Sequence, residues 1–429
     1  MCYAIPGKVE SIQGKIVVVD YFGEKKNAIN ELDGLKTGDY IYAQGGYVIK
    51  SVPEKEAKEI LAVWRETFFE LHELDLRLSR LDLEKKGIDR KLALTFDKVL
   101  EGRDASREEL LYLLGLEKKE EQDYLFKAAN FLRQKYLGNS CCVHGVIEFS
   151  NHCARDCGYC GISVHNKKAQ RYRMTEKEIV ETAYDAVENK GFKALVLQSG
   201  EDPEYSIDDL CGIIRRIKER CAVLIFISFG EVGTKGLEEL FRAGARGILL
   251  RFESSNPKLE KRASSRIEHL KKAYEIGYLI LTGGLIGLPD QTVDDQLNDI
   301  LLARELHAEM FSFGPFLPHP ETPFAKHPAP STEQVMKVLA VSRIADPKNA
   351  KILVTTGFET LDPAAREKGL MAGANSVMLN VTPEKYRKQY SIYPCRAHED
   401  EPIQEQITST LNLLRGLGRA PTDLGVSTL

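Results

Sequence analysis

The chain has 429 residues, 43% of them apolar and 28% charged, with a formal net charge of −4 at pH 7, a balance that offers no cationic footprint for nucleic acid or an anionic membrane surface. No run approaches the roughly 20 unbroken apolar residues of a membrane span, and the start MCYAIPGKVE lacks the basic-then-apolar order of a signal peptide. A cytoplasmic protein without nucleic-acid or membrane partners is therefore expected.

From Lys8 to about Val52, short apolar runs (KVESI, KIVVVDYF, GDYIYAQ, GYVIKSV) alternate with turn residues, which predicts a small antiparallel, OB-like barrel. Pro53 then opens a helix whose Ala57, Ile60, Leu61, Trp64, Phe68 and Leu71 recur at spacings of three and four. Residues 1–80 read as this small barrel with its covering helix. The charge-rich, weakly periodic stretch 81–107 reads as a surface linker, helical in part.

From 108 to 429 eight short apolar, β-branched runs follow in order: 144–150, 194–200, 223–230, 247–253, 279–287, 310–318, 351–356 and 376–382. Amphipathic segments separate them, such as TEKEIVETAYDAVENKG, capped by Thr175 with Glu178 in capping-box position and stopped at Gly191. Near-continuous apolar strands alternating with helices predict an α/β fold, a parallel (βα)8 barrel of the TIM type, with an open doubly wound sheet as the alternative. A barrel carries its chemistry at the C-terminal ends of its strands.

Nine cysteines are too sparse for a disulfide scaffold, so clustered ones read as metal ligands or reactive thiols. Cys153, Cys157 and Cys160 follow directly on the first barrel run, with the aromatic Tyr159 before the last. Three thiolates on one loop can converge on an iron-sulfur cluster and leave its fourth iron open for a ligand. The alternative is a structural zinc site completed by His152 or His165. Cys141 and Cys142, ahead of the first run, and Cys211 and Cys221, around a helix, read as small buried apolar residues.

The segments IEFSNHCARDCGYCGI, RYRMTEKEIV, LQSGEDP, SFGE, LLRFESSNP, GLIGLPDQT, FGPFLPHPETP, LVTTGFETLDP and GANSVMLNVTP resemble the HydE family of radical S-adenosylmethionine (SAM) enzymes, maturases of the FeFe-hydrogenase cofactor and kin of biotin synthase. The resemblance runs from about Glu108 to the end. It implies a 4Fe-4S cluster on Cys153, Cys157 and Cys160, SAM as second cofactor and an external electron donor. It further implies SAM binding by Tyr159, Ser199, Gly200, Glu201, Asp202, Glu231, Arg251, Ile286 and Leu288, and a substrate cavity near Tyr172, His319, Thr355 and Thr356. Taken singly, a Glu and an Arg after barrel strands also read as an ordinary salt bridge, and His319 as a buried structural residue. Phe252 stands where the family commonly has His, GFET (357–360) replaces a smaller loop, and Cys395 alone occupies the region where some members hold an accessory cluster; no second cluster of that type is expected.

The start MCYAIPGKV, with Cys2, Ala4, Ile5, Pro6 and Gly7 in order, resembles the HypC/HupF chaperones of NiFe-hydrogenase maturation. That resemblance implies Cys2, once Met1 is removed, as an iron ligand; the plain reading is a cysteine near a loose terminus. Gln44 stands where that family tends to have a His. Together the halves suggest a radical SAM maturase acting on a small-molecule or organometallic iron substrate, in concert with other hydrogenase maturation proteins. The alternatives are a mutase or sulfur-insertion enzyme on an amino-acid-like substrate and a non-enzymatic iron carrier.

Overall fold

A computed structural model describes residues 3–81 and 88–425; Cys2 lies outside the described residues. Strands β1 (Gly7–Gln13), β2 (Ile16–Tyr21), β3 (Glu24–Ile29), β4 (Tyr40–Gln44) and β5 (Tyr47–Val52) close into a small barrel in the order β1-β2-β3-β5-β4. Alternation places Val9, Val17, Val19 and Ile41 inside. Helix α1 (Glu54–Leu78) lays Trp64, Phe68 and Leu71 across that core and runs on until Asp75 is buried as well. It starts on Pro53 with Glu54 and Glu56 in its first turn, where carboxylates meet the positive end of the helix dipole.

Helices α2 (Arg90–Leu100), α3 (Arg107–Leu114) and α4 (Lys119–Leu137) lead into the large domain. The stretch expected to be a surface linker therefore includes α2, whose Leu92, Phe96 and Val99 are buried in the main core beside Leu110 and Leu125. These three recur at four and three, a stripe hidden in the sequence by the charges around it.

The large domain strings together β6 (Ser140–Ser150), α5 (Glu176–Tyr184), β7 (Ala194–Ser199), α6 (Ile207–Arg220), β8 (Leu224–Ser228), α7 (Gly233–Ala243), β9 (Ala245–Leu249) and α8 (Ala263–Ile276). There follow β10 (Leu279–Thr282), β11 (Leu285–Ile286), α9 (Val293–Glu305), β12 (Met310–Phe311), β13 (Gly314–Pro315), α10 (Thr332–Ala345) and β14 (Lys351–Ile352). The chain ends with α11 (Thr356–Leu361), α12 (Ala365–Met371), β15 (Ser376–Asn380), α13 (Glu384–Arg387), α14 (Ile403–Gly416) and β16 (Ala420–Pro421). Eight parallel strands run in the order β14-β12-β10-β9-β8-β7-β6-β15, and a bridge between Leu353 and Ser376 brings the ends of the ring together. The barrel, not the open sheet, is the fold.

Two expected strands are split: β11 and β13 break away after β10 and β12 and pair with each other. The first strand starts earlier than expected, so Cys141 and Cys142 lie within β6, both buried. Residues 357–360 fall in α11, capped by Thr355.

The small barrel sits against the N-terminal ends of the large barrel's strands. Tyr42, Tyr47, Ile49 and Val52 share a core with Ala194, Leu224 and Leu281, and Tyr47 Oη donates to the Gly277 carbonyl (3.3 Å). Gln44, fully buried, donates from Nε2 to the Tyr3 carbonyl and holds the amino-terminal segment to the small barrel. The opposite, C-terminal end of the large barrel stays open. Among the described residues no helix is long and apolar enough to cross a membrane.

Candidate active site

At the open end lies a cavity of about 330 Å³ whose walls are strand ends and the loops that follow them. Cys153, Cys157, Tyr159 and Cys160 line it from the loop after β6; Ser199, Gly200 and Glu201 from the end of β7; Arg251 from the end of β9; Thr355 and Thr356 from the start of α11. A volume of this order suits a small-molecule cofactor and substrate. Gly200 is what lets two of these loops meet: a Cβ there would sit 2.2 Å from the His152 carbonyl oxygen and 2.7 Å from Cys153 Cβ.

Arg262, at the N-terminus of α8, ties the thiols to the acids. Its Nη2 donates to Cys157 Sγ (2.9 Å), its Nη1 donates to Glu201 (3.1 Å), and Glu231 stands 3.9 Å away. Arg155 pairs with the other oxygen of Glu201, and Ser265 donates to Glu231. Burial pushes the Cys157 thiol up, against the pull of Arg262 and Arg266, and pushes Cys160 higher still. Such thiols ionise when a metal supplies the compensating charge.

Arg251 forms an ion pair with Glu253 (2.8 Å), yet its Nε carries no hydrogen bond although buried. Burial also pushes the Glu253 carboxyl up, with Arg251 opposing. A buried guanidinium with unspent donors beside a cavity is prepared for an anionic group. Tyr159 points down from the loop and donates to Glu260 (2.9 Å).

Other expected residues lie around rather than in this cavity. Asp202 accepts from Ser150 (2.5 Å) and from the fork of Arg173 (2.7 and 2.9 Å), joining the strand ends. Tyr172 is buried with its hydroxyl donating to the Glu148 carbonyl (2.7 Å). His319 is buried, its Nδ1 accepting from the Glu321 N–H (3.1 Å), and burial lowers its pKa. Ile286 and Leu288 are buried, with the Ile286 carbonyl accepting from the Phe316 N–H (2.8 Å).

The sequence reading missed Arg262, Glu253, and a buried pair on the far wall, Glu148 and Arg396 (2.5 Å), to which Asn380 adds a bond (2.7 Å). Glu148 carried a signal, a lone charge inside the run HGVIEFS. Arg396 carried none, because a distant carboxyl-terminal loop delivers it.

A sequence profile of the radical SAM superfamily matches residues 147–303, and one of the HupF/HypC family matches residues 1–64. The [FeFe] hydrogenase maturase subunit HydE of Thermotoga maritima is 38% identical over 328 residues, 75% of this chain and 93% of its own length. The chain belongs to the HydE family of radical SAM enzymes. A 3-methylornithine synthase of Methanosarcina acetivorans is also similar, 27% identical over 76% of this chain and 93% of its own. Among solved structures, methylornithine synthase (PylB) matches with a TM-score of 0.67 and 27% identity over 76% of this chain and 97% of that one. The hydrogenase maturase HydG of Carboxydothermus hydrogenoformans shares the fold, with a TM-score of 0.65 at 20% identity over 85% of each chain.

Radical SAM membership implies a 4Fe-4S cluster and SAM. The HydE-family site fits both. Among the described residues the three thiols do not form a group with ligand atoms within 4.8 Å of one another, the spacing one metal ion needs; a cluster holds each thiolate on its own iron. Three thiol ligands would leave one iron of such a cluster free, and the unspent Arg251 donors face the same cavity.

Proposed function

We propose that this chain is a hydrogenase-maturation enzyme that uses SAM to act on a small iron complex carrying CO, cyanide or thiolate ligands at the barrel mouth. The observation that carries the reading is a thiol-lined cavity at the mouth of a chain 38% identical to HydE along almost all of that protein's length. When bound and given one electron by an external donor, the cluster and SAM would supply methionine and a 5′-deoxyadenosyl radical.

The chain's own residues bind and orient. Cys153, Cys157 and Cys160 hold the cluster, and Arg262 steadies the Cys157 sulfur and Glu201 together. Arg251 takes the carboxylate of SAM, Ser199, Gly200, Glu201 and Asp202 form the segment for its amino group, Glu231 accepts from the ribose, and the backbone about Ile286 and Leu288 flanks the adenine. The far wall, with Thr355, Thr356 and the Glu148–Arg396 pair, faces the substrate. Tyr172 supports that wall from behind through the Glu148 carbonyl, and His319 packs against Gly161 behind the cysteine loop. The buried surroundings keep water from a reactive intermediate.

In this reading Cys2 binds iron in the HypC-like domain of residues 1–80, and residues 108–429 form the catalytic domain. An apolar layer that includes Val146, Val196, Phe226, Met310 and Leu353 fills the lumen between the small domain and the mouth. Cargo on the small domain thus passes to or from other maturation proteins, not through the barrel.

The test is anaerobic reconstitution and electron paramagnetic resonance of the reduced protein. A 4Fe-4S signal that SAM perturbs and Cys157→Ala lacks is expected, with 5′-deoxyadenosine formation rising when an iron–cyanide–carbonyl synthon is added. Stimulation by an amino acid and indifference to the synthon would instead favour a mutase, the reading that the likeness to methylornithine synthase supports.

A further inference from the structure

A second cluster of metal-ligating side chains lies at the closed end of the large barrel, away from the cysteine loop. Cys142 and His144 are two apart on β6 and so face the same way, into the lumen. β16 runs beside β6 in parallel register, Ala420 against Ser140 and Pro421 against Cys141, and this carries Asp423 to His144, whose Nε2 stands 3.3 Å from its carboxylate. One ligand atom from each of the three lies within 4.8 Å of the others, and each residue is at most 4% exposed. His144 is fixed by stacking on Phe226 (5.1 Å between ring centres), and its Nδ1 has no hydrogen-bond partner. The nitrogen that faces Asp423 is Nε2, so an ion held among the three side chains would take Nε2 in place of that contact.

The three residues line a cavity of about 20 Å³ together with Gly45 of the small barrel. That is room for one ion or one water. Lys351, the cation on the same cavity wall, is already paired with Glu309 (2.7 Å). Asp423 and an ionised Cys142 then leave two negative charges, which a divalent ion balances.

We propose that Cys142, His144 and Asp423 bind a single divalent metal ion of the iron-to-zinc series beneath the small domain, separate from the mouth and independent of the reaction there. A sulfur, a nitrogen and an oxygen ligand suit such an ion. Binding exchanges the Cys142 thiol proton for a metal–sulfur bond, and the proton leaves to solvent, so no redox partner is required.

The amino-terminal segment passes close by: the Ala4 N–H faces the Pro421 carbonyl (3.4 Å), and Gln44, next to Gly45, holds the Tyr3 carbonyl. Cys2 is the residue before Tyr3 in the sequence. The test must therefore separate Cys2 from Cys142.

The experiment uses the full-length chain with Cys153, Cys157 and Cys160 replaced by alanine, to remove the cluster, stripped with chelator and titrated anaerobically with Co2+. One equivalent is expected to bind with a thiolate-to-cobalt absorption band and to be displaced by Zn2+. Cys142→Ser removes the band, and the near-isosteric Asp423→Asn weakens binding by about ten- to a hundred-fold, while circular dichroism shows both folded. Absence of stoichiometric binding overturns the proposal. So does a band that survives Cys142→Ser and vanishes in Cys2→Ala, which would put the metal on the amino-terminal thiol alone. A Cys142→Ser variant that fails to fold leaves the decision to Asp423→Asn, where unchanged affinity overturns it.

Discussion

Asp75 is a buried carboxylate through which α1 of the small domain meets the large domain, and Asp75→Asn should loosen that joint. It is 1% exposed, accepts from both terminal nitrogens of Arg133 (2.7 and 2.7 Å) and forms an ion pair with Arg419, whose Nε stands 3.0 Å away, each arginine wholly buried. The remaining acceptors around Arg133 and Arg419, the Gly138, Leu370 and Ala374 carbonyls, Ser79 Oγ and Asn130 Oδ1, are neutral. Asparagine keeps the shape and removes the charge, leaving two buried guanidiniums without their counter-ion. Breaking a buried pair in this way costs about 3–5 kcal/mol, more than the pair contributes against an apolar replacement. Trp64, the one tryptophan of the chain, is buried in the small-domain core on the same helix and reports directly. With a urea dependence of about 2 kcal/mol per molar, a loss of about 3 kcal/mol moves the Trp64 fluorescence transition down by about 1.5 M. Hydrogen exchange of α1 should accelerate more than that of β7 or β8. A midpoint within error of wild type would refute the reasoning and mean that water or backbone rearrangement solvates the two arginines.

Three further outcomes follow from the same structure. Gly200→Ala forces its Cβ into the His152 carbonyl and Cys153, about 1–3 kcal/mol of strain on the cysteine loop, so iron content after reconstitution should fall while far-ultraviolet circular dichroism stays native. Arg251→Lys keeps the charge beside Glu253 but loses the planar fork, and SAM affinity of the reconstituted protein should weaken about ten-fold; unchanged binding would remove Arg251 from the site. Burial pushes the Asp299 carboxyl up to about 6, although the Ser255 N–H donates to it (2.6 Å). Its folded-state pKa lies above the unfolded value, so its stabilising share is full below about pH 4 and lost as pH rises through about 6. Asp299→Asn should therefore gain on wild type between pH 4.5 and 7.5 by about 2–3 kcal/mol in urea titrations, and a constant difference would count against the shift.

Local sequence was enough to specify the periodic and the contiguous. The alternation in KIVVVDYF and the 3.6-residue stripe through Trp64, Phe68 and Leu71 express the side-chain geometry of strand and helix directly, and both elements form where that pattern stands. That Cys153, Cys157 and Cys160 line one cavity was legible because three thiols on one loop need no other part of the chain to bring them together. Glu201, Glu231 and Arg251 could be marked because each ends a strand, and a parallel barrel gathers its strand ends at one mouth.

What only the tertiary structure decided are the meetings of residues far apart in sequence, each set by a packing angle or a register that no local pattern encodes. Arg262 reaches Cys157 and Glu201 across the cavity, Arg396 reaches Glu148 from 248 positions away, and Asp75 finds Arg133 and Arg419 only because the small domain docks at the closed end. Cys142, read from sequence as a small apolar filler, acquires His144 and Asp423 as neighbours because β16 returns to pair with β6. A strand's own residues dictate which of its side chains share a face, but the partner strand that comes to lie beside it is chosen by the fold as a whole.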